Sequence, residues 1–471
     1  MDKLQYQKEQ DQLLNTVLQQ RYFLPWQNIE ALDGEQRLRK DSSLEIYLTT
    51  ACNQKCEYCY LHKYPELYPQ DKMQPKHILH NLRLLYEWII ENNYYIKTLD
   101  FFSGDIWQTQ FGLDVLELTY EYTIKGMQYD DILIASNCSF VNDPIQMQHI
   151  QRYIYKFNEI GKHLAFSISI DGKIIDTFAR PRNDPNFIYT DKFYELIFSF
   201  AKHNGYGFHP MVSSHNIHLW HDNLKWWKEM TDKYHMRFDI AVMMLEVRND
   251  DWTDETIQTY CDFIIELAED FLKNQCNNDI TVFGNLTGNI RIDPTNETLP
   301  LLNGYYPWCF GEVDTFMGCT VANQFAVRIG DLAICPCHRT AYDKYLYGYL
   351  TVENDKITGI TARNPQMAIQ ILMGNIMTVF PRCNVCLYNQ ICLHGCLGSQ
   401  IEAMRDPFIP IPSVCKLFHA KYDAILTWYK EKGIIDYWRS IYPDEYHSDE
   451  LAFKLNDIDK WEREHNNVGK C

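Results

Sequence analysis

Three cysteines fall within eight residues in the segment ACNQKCEYCY, as Cys52, Cys56 and Cys59. Their spacing is Cys-x3-Cys-x2-Cys. Three thiolates on a tight loop can hold three irons of a [4Fe–4S] cluster and leave the fourth iron open to a small chelating molecule. A structural zinc site wants four protein ligands. No fourth cysteine completes this set, and His62 is the nearest other donor. The iron–sulfur reading is therefore the better one.

A second concentration lies far downstream. Cys309, Cys319, Cys335, Cys337, Cys383, Cys386, Cys392 and Cys396 precede Cys415, which closes the region. Cys319 is followed by ten residues, Gly330, four more residues and Cys335; later comes Cys383-x2-Cys386-x5-Cys392-x3-Cys396. Taken alone, that spacing suits a pair of zinc modules. The chain has 16 cysteines, and its N-terminus, MDKLQYQKEQDQLL, lacks the apolar run of a secretion signal. Clustered cysteines in a reducing compartment point to metal rather than to disulfides.

The elements that must carry these loops are legible from periodicity. LEIYLTT (44–50) reads as a strand, so the three-cysteine loop follows a strand end. Residues 75–92 show helical spacing, with Ile78, Leu82, Leu85 and Ile89 on one face. Strand patterns follow at 97–103, 131–135, 164–170, 207–213 and 236–242, separated by helical patterns at about 112–125, 144–160, 187–204 and 219–233, with another at 253–273. Such alternation predicts an α/β fold, a partial (β/α)6 TIM-like barrel whose chemistry sits at the C-terminal strand ends. The expected organisation is an N-terminal helical arm (1–43), the barrel (44–275), a bridging segment (276–308), a small loop-rich cysteine domain (309–420) and a helical tail (421–471). Metal must replace part of the core that the cysteine domain lacks.

The first motif, its place after the first strand and the aromatic Tyr58 before the last cysteine resemble the radical S-adenosylmethionine (SAM) superfamily. The resemblance implies that SAM chelates the open iron and is cleaved reductively to a 5′-deoxyadenosyl radical. FFSGDIW (101–107) is similar to the family's Gly-Gly-Glu segment, with Ser103, Gly104 and Asp105 at the matching positions. Ser136 and Asn137 match its ribose-contacting strand end. SISIDGKIIDTFAR (167–180) resembles a Ser-x-Asp-Gly…Asp-x3-Arg segment through Ser169, Asp171, Asp176 and Arg180. Ser169 and Arg180 are then expected at SAM, whereas Asp171 shapes a turn with Gly172. Read without the family, Asp176 and Arg180 are an i,i+4 surface pair.

The downstream cysteines resemble the SPASM domain, a C-terminal extension of radical SAM enzymes with two auxiliary [4Fe–4S] clusters. The resemblance assigns Cys319, Cys335 and Cys396 to the first, with Cys309, Cys337 or an open iron completing it. It assigns Cys383, Cys386, Cys392 and Cys415 to the second. Three clusters and SAM are thus the expected cofactors. The implied activity is radical modification of a peptide or protein side chain, foremost maturation of a ribosomally made peptide by crosslink or thioether formation. Formylglycine formation of the anaerobic sulfatase-maturase type and small-molecule chemistry are the alternatives. A non-catalytic iron–sulfur or zinc protein, for binding or electron transfer, is the competing class. An electron donor such as flavodoxin or ferredoxin is an implied partner. The first 43 residues leave no room for a full leader-recognition domain, so a separate leader-binding protein or the barrel itself would hold the substrate.

Composition excludes other classes. A formal charge of −18 disfavours nucleic-acid binding, which needs clustered cations. No apolar run approaches the length of a membrane span. The chain is expected in the cytoplasm. His209, His215, His218 and His221 read as structural or solvated, Asn216 as a weak SAM contact, Cys138 as a small apolar filler, and the Tyr-rich stretch 341–350 as packing over a cluster.

Overall fold

Successive strand and helix segments alternate as their periodicity dictates. The computed structural model describes residues 3–27, 43–68, 75–102, 104–181, 189–273, 290–292, 300–302, 324–374, 380, 382–383, 386 and 395–431. Strands β1 (Ser43–Tyr47), β2 (Tyr95–Phe102), β3 (Gln128–Ser136) and β4 (His163–Ile168) pair in parallel in that order. The register sets Leu44 beside Leu99, Leu99 beside Ile132 and Ile132 beside Leu164. These four are buried on the helix-covered face. One residue on, the row Glu45, Asp100, Leu133 and Ala165 points the other way, into the barrel. A parallel sheet needs helices as crossovers. Here they include α2 (Pro75–Glu91), α3 (Gln110–Ile124) and α4 (Pro144–Glu159), preceded in chain order by α1 (Lys3–Leu18). The Thr109 hydroxyl accepts the Gly112 N–H and the Asp143 carboxylate accepts those of Ile145 and Gln146, which fixes where α3 and α4 begin.

The arc continues beyond β4. Helices α5 (Lys173–Ala179) and α6 (Asp191–Asn204) lead to bridges that join Ile168 to Phe208 and Phe208 to Val242, all parallel. Strand β5 (Met211–Val212), helix α7 (Trp220–Lys233) and strand β6 (Leu245–Glu246) complete six β/α units. The sixth strand starts later than its sequence pattern suggests. Phe238–Ala241 forms a helical turn, and pairing begins at Val242. Asp239 and Ala241 are poor strand formers, so the alternation of 236–242 does not commit the backbone.

After α8 (Asp254–Lys273) a small antiparallel pair, β7 (Ile290–Ile292) and β8 (Pro300–Leu302), precedes a return to the main sheet. Strand β9 (Gln324–Arg328) lies parallel to β1 on its free side, with Ser43 opposite Gln324 and Tyr47 opposite Arg328. Strands β10 (Ala333–Cys335), β11 (Gly348–Glu353) and β12 (Lys356–Ala362) follow as an antiparallel meander. The described residues thus form an eight-stranded sheet of order β12-β11-β10-β9-β1-β2-β3-β4. The expected α/β partial barrel is present, and strands of the cysteine region extend its own sheet.

Helix α1 is pinned to that extension. The Gln7 amide donates to the Ala362 carbonyl at 3.0 Å, and the Ala362 N–H donates to Asp11 at 2.7 Å. Tyr22, Phe23 and Trp26 pack around Phe325 of β9, so the N-terminal segment belongs to the core. Helices α9 (Pro365–Leu372), α10 (Leu397–Met404) and α11 (Pro412–Glu431) finish the described chain. The Lys421 ammonium of α11 meets the Glu246 carboxylate of β6 at 2.7 Å, both buried. No described helix is long and apolar enough to cross a membrane.

Candidate active site and cysteine pockets

Strand β1 delivers the chain into the loop that carries Cys52, Cys56 and Cys59, and that loop is held by backbone bonds to the end of α5. The N–H groups of Lys55 and Glu57 donate to the carbonyls of Pro181 and Ala179. Gln54, buried between two of the cysteines, ties it further. Its amide donates to the Tyr189 hydroxyl at 3.1 Å, its side-chain oxygen accepts from Arg180 at 3.0 Å, and its carbonyl lies 2.7 Å from His62 Nε2. On the other side the turn after β2 presses against the loop. Gly104 has φ +62°, and a Cβ there would collide with the carbonyl oxygens of Ala51 and Thr49. The neighbouring Asp105 N–H donates to Ala51 at 2.7 Å. Only glycine permits that approach.

These elements enclose a cavity of about 720 Å3. Cys52, Cys56, Cys59, Tyr58, Gly104, Asp105, Ser136, Asn137, Ser169 and Arg180 all line it. The three motif cysteines and these SAM-site candidates therefore face one space, which Asn216 does not line. Ser103 lies outside the described residues.

Several of these side chains are already engaged. Asp105 accepts from the Ser136 hydroxyl at 3.0 Å and from the Asn137 N–H at 2.6 Å, which braces the end of β2 against that of β3. Arg180 is 4% exposed, so the surface ion pair that its spacing allows is not what forms. Its guanidinium donates to the Tyr58 hydroxyl at 2.7 Å and lies 3.6 Å from Asp171 and 3.7 Å from Asp176. Asp171 does more than shape a turn. Its carboxylate accepts from Tyr58 at 2.6 Å and from the Met211 N–H at 2.8 Å, linking the cysteine loop to β5. Gly172, at φ +108°, lets the chain pass Asn223 and Trp227, which both donate to the Asp171 carbonyl.

The charges follow from burial. Burial pushes the Asp171 carboxyl up, against Arg180 pulling it down. Burial and the adjacent Asp171 push Asp176 up to about 7. Burial works against the Arg180 charge, but Cys56, Tyr58, Asp171 and Asp176 outweigh it and hold the guanidinium protonated. Burial, aided by Asp105, also raises the Cys52 thiol. Burial raises Cys59, although the N–H groups of Leu61 and His62 point at its sulfur. Iron binding would displace these protons, and N–H groups aimed at sulfur suit the resulting thiolates.

The cavity also receives residues that carry no motif. His338 stacks on Phe102 with ring centroids 4.1 Å apart and planes 4° apart. Its N–H and Nδ1 both face the Glu45 carboxylate, Nδ1 at 3.1 Å but off hydrogen-bond alignment. Glu45 is wholly buried. Arg339 follows, bidentate to Glu402 of α10 at 2.8 and 2.6 Å. His209, which its sequence context marks as structural, lines the cavity with its imidazole held below the ordinary pKa by burial. The buried Asn216 spends its amide on Met211, Ser213 and Trp220. Cys138 is buried, as a filler should be.

The downstream cysteines divide between two places. Cys335 and Cys337 are buried at the end of β10, where Glu45 raises both thiols further. Tyr342 and Tyr345 of the Tyr-rich stretch belong to the same buried apolar cluster as Cys335. Cys383, Cys386, Cys396 and Cys415 line a small pocket of about 40 Å3 with Ile411, Val414, Phe418 and His419. Cys396 also acts electrostatically on Cys337, so it stands between the two groups. Cys309, Cys319 and Cys392 lie outside the described residues. Among the described residues no three ligand-type side chains converge on a single-ion site.

An incomplete barrel of parallel strands, a cysteine loop after the first strand and a C-terminal cysteine region define a recognisable architecture. The fold is similar to that of anSMEcpe, an anaerobic sulfatase-maturating enzyme of the radical SAM, SPASM-domain class. The structure of its tagged form with bound AdoMet superposes with a TM-score of 0.53 at 14% identity, covering 83% of this chain and 98% of that one. Its complexes with AdoMet and the Cp18Cys or Kp18Cys peptide give TM-scores of 0.52 and 0.53, again at 14% identity and with the same coverage. At that identity the likeness establishes the shared fold. No family model and no curated protein matches the sequence.

Proposed function

We propose that this protein is a radical SAM enzyme that modifies a peptide or protein side chain. The observation that carries the reading is the single cavity onto which Cys52, Cys56 and Cys59 open together with Tyr58, Gly104, Asp105, Ser136, Asn137, Ser169 and Arg180. Its volume of about 720 Å3 suits SAM together with one substrate side chain. Neighbours of the same fold bind AdoMet and peptides, which supports the substrate class.

Cys52, Cys56 and Cys59 would hold a [4Fe–4S] cluster. Such a cluster, when reduced, would supply the electron for reductive carbon–sulfur cleavage of SAM and so the radical chemistry for removing a substrate hydrogen. The chain's own residues do the positioning. Gly104 gives the ligand close access to the loop backbone, and Asp105 locks Ser136 and Asn137 at the next strand end. Tyr58, Gln54 and Arg180 keep the cysteine loop against β4 and β5. Ser169 and Arg180 offer polar groups to the SAM carboxylate. The apolar walls, with Phe102, Met211, Met243 and Leu245, exclude water that would quench a radical.

Maturation of a ribosomally made peptide, by crosslink or thioether formation, is the finer reading we favour. Formylglycine formation on a sulfatase is the second, favoured by the neighbours' own activity. The two auxiliary clusters are part of the proposal, with Cys309, Cys319, Cys335 and Cys396 for one and Cys383, Cys386, Cys392 and Cys415 for the other. Protein reconstituted without oxygen and reduced with dithionite should convert SAM to 5′-deoxyadenosine, read by mass spectrometry. The Cys52/Cys56/Cys59→Ala variant should yield none. Equal yield from both would end the reading.

A further inference from the structure

We propose that His419 belongs to the C-terminal iron–sulfur site and donates a hydrogen bond from Nε2 to the thiolate of Cys386. The proposal rests on the cluster reading given above.

The geometry is specific. Cys386 Sγ and His419 Nε2 lie 3.5 Å apart, within the range for a hydrogen bond to sulfur. Both line the small pocket that also holds Cys383, Cys396 and Cys415. His419 sits one helical turn after Cys415 on α11, so the i,i+4 relation puts both side chains on the same face. The rest of that pocket includes the apolar side chains of Ile411, Val414 and Phe418, with Arg248 and Gln400. A cluster ligand is a thiolate and has no proton to give. The pair is then held only with the proton on the imidazole nitrogen, which settles the direction of the bond.

The consequence is electronic. An N–H aimed at a ligating sulfur draws charge off it and favours the reduced, more negative cluster. Hydrogen bonds to sulfur are among the factors that set cluster potentials, and outer-shell donors tune metal sites generally. His419 is thus a positioning and tuning residue, and it leaves coordination to the cysteines. It raises the potential of the cluster beside it.

The test uses the full-length Cys52/Cys56/Cys59→Ala chain, reconstituted with iron and sulfide, so that only auxiliary clusters report. Redox titrations followed by electron paramagnetic resonance compare His419 with His419→Phe, which fills the space without a donor, and with His419→Gln, which restores one. The expected result is a lower potential for one cluster in the Phe variant, recovery towards the parent in the Gln variant, and equal iron per chain in all three. An unchanged potential in the Phe variant with iron retained overturns the proposal. Loss of about four irons in both the Phe and Gln variants also overturns it, since His419 would then be a ligand. Zinc in place of iron in the parent would sink the auxiliary-cluster reading itself, and this donor role with it.

Discussion

Around Cys52, Cys56 and Cys59 the chain commits Gln54, Tyr58, Asp171, Asp176 and Arg180 to one another through hydrogen bonds and ion pairs. Around Cys383, Cys386, Cys396 and Cys415 the described walls include Ile411, Val414 and Phe418, with His419 as a polar partner. The first site owes its shape to polar contacts that exist before any metal arrives. The second joins thiols and apolar side chains with Arg248, Gln400 and His419, an arrangement that a bound metal would complete. On the proposed reading a cofactor would fill the one and help to fold the other.

Removing metal should sharpen that contrast most. After anaerobic chelation, amides of β1 to β4 should keep their hydrogen-exchange protection, while α10 and the first turns of α11 lose theirs. Equal loss in both regions would break the comparison. Next in size is Arg180→Ala, which leaves Asp171 and Asp176 facing each other in the interior. It should cost about 3–5 kcal/mol in urea unfolding, as breaking a buried ion pair does. A cost no larger than that of a surface change would mean that the first site is not held by this network.

The link between the two regions gives a smaller, pH-dependent effect. Burial acts to raise the Glu246 carboxyl, but Lys421 and Arg248 overrule it and hold the pKa below the ordinary carboxylate value. A depressed carboxylate contributes stability above its unfolded pKa, and the contribution is lost as pH falls through the folded value. Acid titration of the parent should therefore loosen α11 from β6 in that range, and Glu246→Gln should flatten this part of the profile. A profile that Glu246→Gln leaves as steep would remove the pair from the joint. Smallest is Thr190→Ala, which deletes the cap of α6 on the Phe193 N–H and should cost about 1 kcal/mol in thermal or urea unfolding, without altering iron content.

Local pattern made much of this fold legible. The first four strands and their helices follow from alternation and apolar spacing within each segment, which neighbours in sequence determine. The sixth strand misleads because Phe238–Ala241 can satisfy its pattern as a helical turn. The pairing of β9 with β1 was not readable, since nothing local links Gln324 to Ser43. At the candidate site the motif cysteines and Arg180 stand out by spacing, but Gln54 passes as a spacer inside the motif. Glu45 and His338 carry no pattern, because their meeting depends on the register of β9 against β1. A Glu in the middle of an otherwise apolar strand is the one local hint that a partner from elsewhere must meet it.

That same β9–β1 joint bears on synthesis. At about 5–20 residues per second, the roughly 280 residues between Ser43 and Gln324 take on the order of 15–60 s to leave the ribosome. Throughout that interval the outer side of β1 is an open row of peptide groups, a template for any other extended chain. Helix α1 waits longer still, because Ala362 is one of its anchors. The nascent protein therefore carries its own aggregation hazard at the strand that later presents the cysteine loop.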